Sequence, residues 1–151
     1  MHQTPSETCQ ACADKLKQCH HSLTLWFEIL SDNFKDCHIA VGFRGEADQN
    51  EAYANHLSHA KWGESKHNRM NGSNPESWAI DIFQLGADGK AHFDPPYFKK
   101  IWDFIDHIQT QAGDFEIMWG GNFSNLKDLD HLELLKATFS QSIEVISHDH
   151  C

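Results

Sequence analysis

The sequence predicts a single compact α+β domain, a small antiparallel sheet with helices packed on one side. Three observations point there. Two long stretches, Ala11 to Leu30 and Pro95 to Gln111, carry apolar residues at three- and four-residue steps. Short segments rich in β-branched and aromatic residues follow each of them, bounded by Gly, Pro or Asn. No repeat, low-complexity tract or linker divides the chain, and 151 residues are enough for one domain with a real core. The domain is expected over residues 11–137, with a disordered start at 1–10 and a tail at 138–151.

In the first helix, Leu16, Cys19, Leu23, Trp26, Phe27 and Leu30 form one stripe. Cys37 to Arg44 reads as a strand that ends at Arg44. Glu46 to His59 is a second helix, with acidic residues in the first turn, where the helix dipole favours them. Lys61 to Pro75 contains Gly63, Asn71, Gly72 and Asn74 and reads as a loop. Ser77 to Leu85 is a strand with Ala79 and Asp81 on one face and Trp78, Ile80 and Ile82 on the other. A turn at 86–89 leads on to the helix from Pro95, which buries Phe98, Ile101, Trp102, Ile105 and Ile108 and ends before Gly113 as C-cap. Phe115 to Trp119 is a strand closed by Gly120-Gly121, and Asn122 to Asp130 a loop. His131 to Leu134 is the last strand, placing His131 and Glu133 on one face.

Composition removes several classes of function. A net charge of -10 leaves no basic patch dense enough for a nucleic-acid backbone. The apolar runs fall far short of the roughly 20 residues a membrane span needs, so no membrane insertion is expected. Residues 1–7 lack a basic segment followed by an apolar one, so the chain is expected to be made in the cytoplasm without a signal peptide, and as a monomer. Five cysteines, an odd number, favour free thiols over a disulfide framework. Cys9-x-x-Cys12 with Cys19-His20-His21 offers a zinc reading, set against a blander one in which Cys9 and Cys12 sit near a frayed end and Cys19 and Cys37 are small buried hydrophobes.

The chemistry concentrates around Asp81. A carboxylate between Ala79, Ile80, Ile82 and Phe83 is costly to bury unless a positive group sits beside it. His67 upstream and His131 in the late segment Asp128-Leu129-Asp130-His131 complete a possible three-ligand zinc set. Zinc lowers the pKa of bound water from about 16 to about 7. Amide hydrolysis also needs a base that does not bind the metal, and Asp128 can reach over from the turn. Asp130, next to the ligand, is expected to point to the opposite side. Arg44 is the candidate cation for an anionic substrate or a developing oxyanion. On the residues alone, a solvated His67 with Asp81 as a capping group stands beside the zinc reading.

Five motifs occur in order: Phe43-Arg44-Gly45-Glu46 continuing to Ala54, Ser65-Lys66-His67-Asn68, Ser77-Trp78-Ala79-Ile80-Asp81, Trp119-Gly120-Gly121-Asn122-Phe123 and Asp128 to Leu134. This ordered set resembles the LAS group of metallopeptidases, the peptidoglycan L-alanyl-D-glutamate endopeptidases and D-alanyl-D-alanine carboxypeptidases, and within it the compact phage and prophage endolysins. The resemblance implies zinc held by His67, Asp81 and His131, Asp128 as general base and Arg44 as a substrate contact. It implies hydrolysis of the peptidoglycan stem peptide, acting on the cell wall after release. The chain departs from the common pattern in placing His67 and Asp81 14 residues apart, in Asn122 after the glycine pair and in Asp130 before the last histidine. A carboxypeptidase, or a metal-containing wall-binding protein without turnover, are the alternatives. A cysteine hydrolase on Cys37 and His38 is disfavoured, because neighbours on a strand point to opposite faces.

Overall fold

The computed structural model describes residues 9–124 and 127–136. Of the expected disordered start at 1–10, residues 1–8 lie outside the described residues, as does the expected tail at 138–151, and Gln10 already stands in a helix. The elements are α1 (Gln10–Leu16), α2 (His21–Asn33), β1 (Cys37–Val41), α3 (Glu46–Ala54), β2 (Met70–Asn71), β3 (Asn74–Pro75), β4 (Ala79–Leu85), β5 (Ala91–His92), α4 (Pro95–Ala112), β6 (Ile117–Trp119) and β7 (His131–Leu134). A five-stranded antiparallel sheet runs β1-β4-β7-β6, with β5 also on β4, and β2-β3 form a small separate hairpin. The α+β class and the single compact domain expected from the sequence are both found. Among the described residues no helix is long and apolar enough to cross a membrane.

β4 organises the molecule. Ile80 and Ile82 point into one core with Ile39 of β1, Leu132 and Leu134 of β7, Leu23, Phe27 and Leu30 of α2, and Phe98, Ile101 and Ile105 of α4. Truncating a fully buried Ile here costs about 2–5 kcal/mol. The pleat sends Asp81 to the opposite face, where its partner across the ladder is His131. One strand therefore supplies the core with one set of residues and the site with the other.

α4 follows its sequence closely. Pro95 and Pro96 occupy its first turn, where a missing N–H costs nothing, and Gly113 ends it in the left-handed region at φ 69°. Gln109, rather than Ile108, is the fully buried residue near its end. Its Oε1 accepts from the Glu116 and Ile117 N–H groups, both at 2.7 Å, which ties α4 to β6.

Several expectations are corrected. The single helix over 11–30 is two helices, because the main chain at 18–20 is stapled to Ser77: His20 N–H donates to Ser77 O (2.8 Å) and Ser77 N–H to Gln18 O (2.9 Å). His20 then caps α2 by accepting from Ser22 N–H at 3.0 Å. α3 stops at Ala54 instead of His59, because His56 takes a left-handed φ of 61° and Leu57 N–H closes back on Ala52 O, a Schellman ending with His in the usual glycine position. β1 stops at Val41, after a bulge between Ile39 and Val41, before reaching Arg44. Residues 61–75 contain a 3₁₀ turn at Lys66–Asn68 and the β2-β3 hairpin turning at Gly72. Cys9 and Cys12, expected as free thiols, form a disulfide. Their Cα atoms stand 5.1 Å apart across one turn, within the range a bridge spans without moving the backbone.

Candidate metal centre

Asp81 and His131 are fixed by the sheet. They face each other across β4 and β7, and His131 Nδ1 lies 3.0 Å from Asp81 Oδ1. His67 arrives on the 3₁₀ turn, its Nε2 3.2 Å from the same oxygen. The turn carries a capping box: Ser65 Oγ accepts from His67 N–H, and Asn68 Oδ1 accepts from Ser65 N–H. Ser65 thus has the turn-stabilising role that is the default for its type.

The three residues offer ligand atoms within 4.8 Å of one another, and all are buried, at 3% exposure for His67, 8% for Asp81 and 6% for His131. Each histidine has its other nitrogen occupied. His67 Nδ1–H donates to Gly42 O (2.8 Å), and His131 Nε2–H to Glu133 Oε1 (2.8 Å). Glu133 is held in turn by Lys66 at 2.9 Å. Such outer contacts set the tautomer of a ligand histidine and aim its second nitrogen. Two nitrogens so aimed at one carboxylate oxygen make a donor set that suits a divalent metal ion.

The electrostatics point the same way. Burial pushes Asp81 up, but His67 and His131 outweigh it and hold the carboxyl well below its usual range. Burial pulls His131 down, yet its hydrogen bonds to Asp81 and Glu133 carry it up to about 10. The Asp81 and Glu133 carboxylates beside His131 favour positive charge at this position, which a proton supplies here and a metal ion would supply when bound.

Asp128 Oδ2 is 3.8 Å from His131 Nδ1, the nitrogen turned toward Asp81. Its loop is set by a close approach: Asp128 N–H donates to Gly120 O (3.0 Å), and a Cβ on Gly120 would lie 2.1 Å from Asp128 O. Only glycine fits there, which accounts for the first glycine of Trp119-Gly120-Gly121. Trp119, buried beside Trp102, fixes the far side of the loop by donating from Nε1 to Leu129 O at 2.7 Å.

Asp130 does not diverge as expected. It offers a carboxylate oxygen within 4.8 Å of those of Asp81 and Asp128. Residues 129–130 form a turn, so strand alternation starts only at His131. Burial, together with a hydrogen bond to Asp128, pushes the Asp130 carboxyl up, which suits it to donate to Asp128.

Arg44 lies beyond the end of β1, with Nη2 3.7 Å from Asp81 Oδ2 and Nη1 donating to Gln49 Oε1 at 3.2 Å. Gln49, fully buried on α3, also donates to Ala60 O, and Asn68 Nδ2 donates to Arg44 O and Gln49 Oε1. Gln49, Asn68 and Lys66 are the residues the sequence reading did not single out. All three lie within the motifs read from the sequence, but membership in a motif does not reveal a partner far along the chain. All five expected site residues, Arg44, His67, Asp81, Asp128 and His131, line one cleft of about 1120 Å³, with Phe123 tilted against His131. Cys37 is no nucleophile: it is 2% exposed, and burial pushes its thiol up to about 12.

Fold and site together define an α+β domain with a buried His-Asp-His metal-binding group at the floor of an open cleft. No family model matches the chain. It is 32% identical over 112 residues to the peptidoglycan L-alanyl-D-glutamate endopeptidase CwlK of Bacillus subtilis (strain 168), a match covering 66% of this chain and 61% of that protein. The chain thus spans about three-fifths of the length of this curated relative. Among solved structures it resembles the L-Ala D-Glu endopeptidase ChiX of Serratia marcescens, with a TM-score of 0.65 and 21% identity over 87% of this chain and 90% of that one. The structural likeness establishes the fold, and the sequence match to an L-alanyl-D-glutamate endopeptidase agrees with the resemblance drawn from the five motifs.

Proposed function

We propose that this chain is a zinc-dependent peptidase that cuts the peptide stem of peptidoglycan at the L-Ala–D-Glu bond. The observation that carries the reading is the convergence of His67 Nε2 and His131 Nδ1 on Asp81 Oδ1, at the floor of a cleft that Asp128 and Arg44 also enter. The substrate named for both relatives supports the choice of bond. His67, Asp81 and His131 hold the ion. When bound, zinc supplies Lewis acidity and lowers the pKa of the attacking water.

The protein's own groups do the rest. Asp128 takes the proton of the attacking water and returns it to the departing amine. Asp130 donates to Asp128 and so holds the base over the cleft floor. The Arg44 guanidinium, steadied by Gln49, holds a substrate carboxylate or the developing oxyanion. Glu133 and Lys66 keep the His131 ring in its ligand orientation. In the cell we place the action at the wall, after release of a chain made in the cytoplasm.

The test is digestion of purified peptidoglycan by the zinc-loaded protein, with new termini identified by mass spectrometry. Fragments ending in L-Ala and beginning with D-Glu are expected. Release of terminal D-Ala alone would make it a carboxypeptidase instead, and binding without new termini would leave only the wall-binding alternative.

A further inference from the structure

A second cluster of metal-ligand type lies outside the cleft, between α1 and β1. Cys9, Cys12 and His38 offer two sulfurs and one ring nitrogen within 4.8 Å of one another. His38 Nδ1 is 3.2 Å from Cys9 Sγ and 3.7 Å from Cys12 Sγ, so it addresses both sulfurs at once. The ring is steadied by stacking on Phe83, with centroids 5.6 Å apart. Each sulfur also accepts a main-chain N–H: Cys9 Sγ from Cys12 at 3.2 Å, and Cys12 Sγ from Ile39 at 3.3 Å. Two N–H donors and an imidazole directed at a sulfur pair are what a dithiolate site needs, since they stabilise negative sulfur. The Cys12 contact also caps the start of α1, whereas those from Ile39 and His38 come from β1. The cluster borders a separate cavity of about 550 Å³.

We propose that Cys9, Cys12 and His38 form a second metal site, distinct from the cleft, that takes a thiophilic divalent ion such as zinc when the Cys9–Cys12 disulfide is reduced. Cys-x-x-Cys with one imidazole is a soft donor set, unlike the harder His-Asp-His group, and leaves a fourth position for water. The sequence reading offered Cys19-His20-His21 as the second half of such a site. The fold supplies His38 instead, because β1 runs beside α1.

Opening the site is a two-electron reduction. A trialkylphosphine is oxidised to its oxide with water as oxygen source, the S–S bond breaks, and two thiols form. The incoming ion then displaces both thiol protons to the buffer, and the two thiolates neutralise its charge. A small-molecule disulfide returns the bridge by exchange: it accepts the two electrons, leaves as two thiols, and the ion is expelled. The ion joins α1 to β1 through His38, whereas the Cys9–Cys12 bridge closes only the start of α1 on itself.

The test is a cobalt(II) titration of the full chain after phosphine reduction and removal of metal, in wild type and in His131→Ala, where the cleft site is broken. A thiolate-to-cobalt charge-transfer band is expected in both, and its absence before reduction. The Cys9→Ser, Cys12→Ser double variant should lose the band, and His38→Ala, which removes a direct ligand, should weaken cobalt binding by more than the roughly 10- to 100-fold that loss of an outer-shell partner costs. No band in reduced His131→Ala at saturating cobalt overturns the proposal, as does a band that persists in the double variant or unchanged affinity in His38→Ala. Because substitution near the core threatens folding, alkylation of reduced wild type gives an independent measure. Bound cobalt should shield Cys9 and Cys12 from iodoacetamide by peptide mass mapping, and equal labelling with and without the ion also overturns it. Activity enters none of these readouts, so the result stands apart from the proposed peptidase function.

Discussion

The cleft is assembled in two unlike halves. Asp81 and His131 are opposite each other on adjacent strands, so the sheet that builds the core also sets their separation. His67, Arg44 and Asp128 sit on loops. Their placement depends on side-chain bonds to main chain, from Asn68 to Arg44 O and from His67 to Gly42 O, and on the main-chain bond from Asp128 N–H to Gly120 O. The sheet half can loosen only if the domain opens, whereas the loop half can loosen alone. Substitutions should therefore separate them: changes in the sheet half act on the metal and on the core together, and changes in the loop half act on rate, on local order or, through His67, on metal affinity.

The largest effect is expected from His131→Ala. It removes a ligand and leaves Asp81 buried with its compensation reduced. With the Cys9–Cys12 disulfide intact, the bound ion and hydrolysis should both be lost, as measured by elemental analysis and peptidoglycan digestion. Full metal content in this variant would show that the sheet half does not hold the ion.

Next comes Asp128→Ala, which should keep the metal and lose about 10² to 10⁴ in rate, the usual cost of a positioned base. Asp130→Asn keeps a hydrogen-bond donor toward Asp128 and should lose tenfold or less, about 1.4 kcal/mol. The reverse order, with Asp130→Asn inactive and Asp128→Ala active, would transfer the base to Asp130. Arg44→Ala should also retain the ion while kcat/KM falls about 10- to 100-fold, in line with the roughly 1.5–3 kcal/mol of a hydrogen bond to a charged group. Loss of metal from this variant would make Arg44 structural.

The same division explains what was legible in the sequence. Asp81 stood out because an ionised side chain among Ile80, Ile82 and Phe83 needs a reason to be there. His131 and Glu133 shared a face because strand alternation is a local rule. Pro95, the apolar stripe and Gly113 delimited α4 for equally local reasons. The misses were contacts between distant segments. Nothing between Lys17 and His20 announces that their main chain will bond to Ser77, and nothing near Gln49 names Asn68 as its partner. Asp130 was read with strand geometry one residue too early, in a turn where alternation does not hold. Cys9 and Cys12 were judged by count and compartment, whereas the spacing across one helical turn brought them within bridging distance.

The smallest effect on chemistry, and the sharpest measure of the loop half, is expected from Asn68→Ala. Asn68 touches neither the metal group nor the reacting atoms, yet it uses every polar atom of its amide. Nδ2 donates to Arg44 O (3.0 Å) and Gln49 Oε1 (3.1 Å), while Oδ1 accepts from Gly63 (3.1 Å) and Ser65 (3.2 Å). At 4% exposure, little water is at hand to replace those partners. Leaving one buried group unsatisfied costs about 1–3 kcal/mol, and solvent reaching Gly63 and Ser65 should keep the total near that figure. The turn carrying His67 would lose one arm of its capping box but keep the Ser65 arm and the bond to Gly42 O. Denaturant unfolding should therefore show a loss of about 1–3 kcal/mol. Metal affinity should fall within the 10- to 100-fold range typical of outer-shell changes, and activity should return at saturating metal. Asn68→Asp is the control: it keeps the acceptors but sets a negative charge against Arg44 O and Gln49 Oε1, so it should be the worse of the two. If Asn68→Ala leaves stability and affinity unchanged, His67 is held by the Gly42 and Ser65 contacts alone, and the loop half is as firmly built as the sheet half.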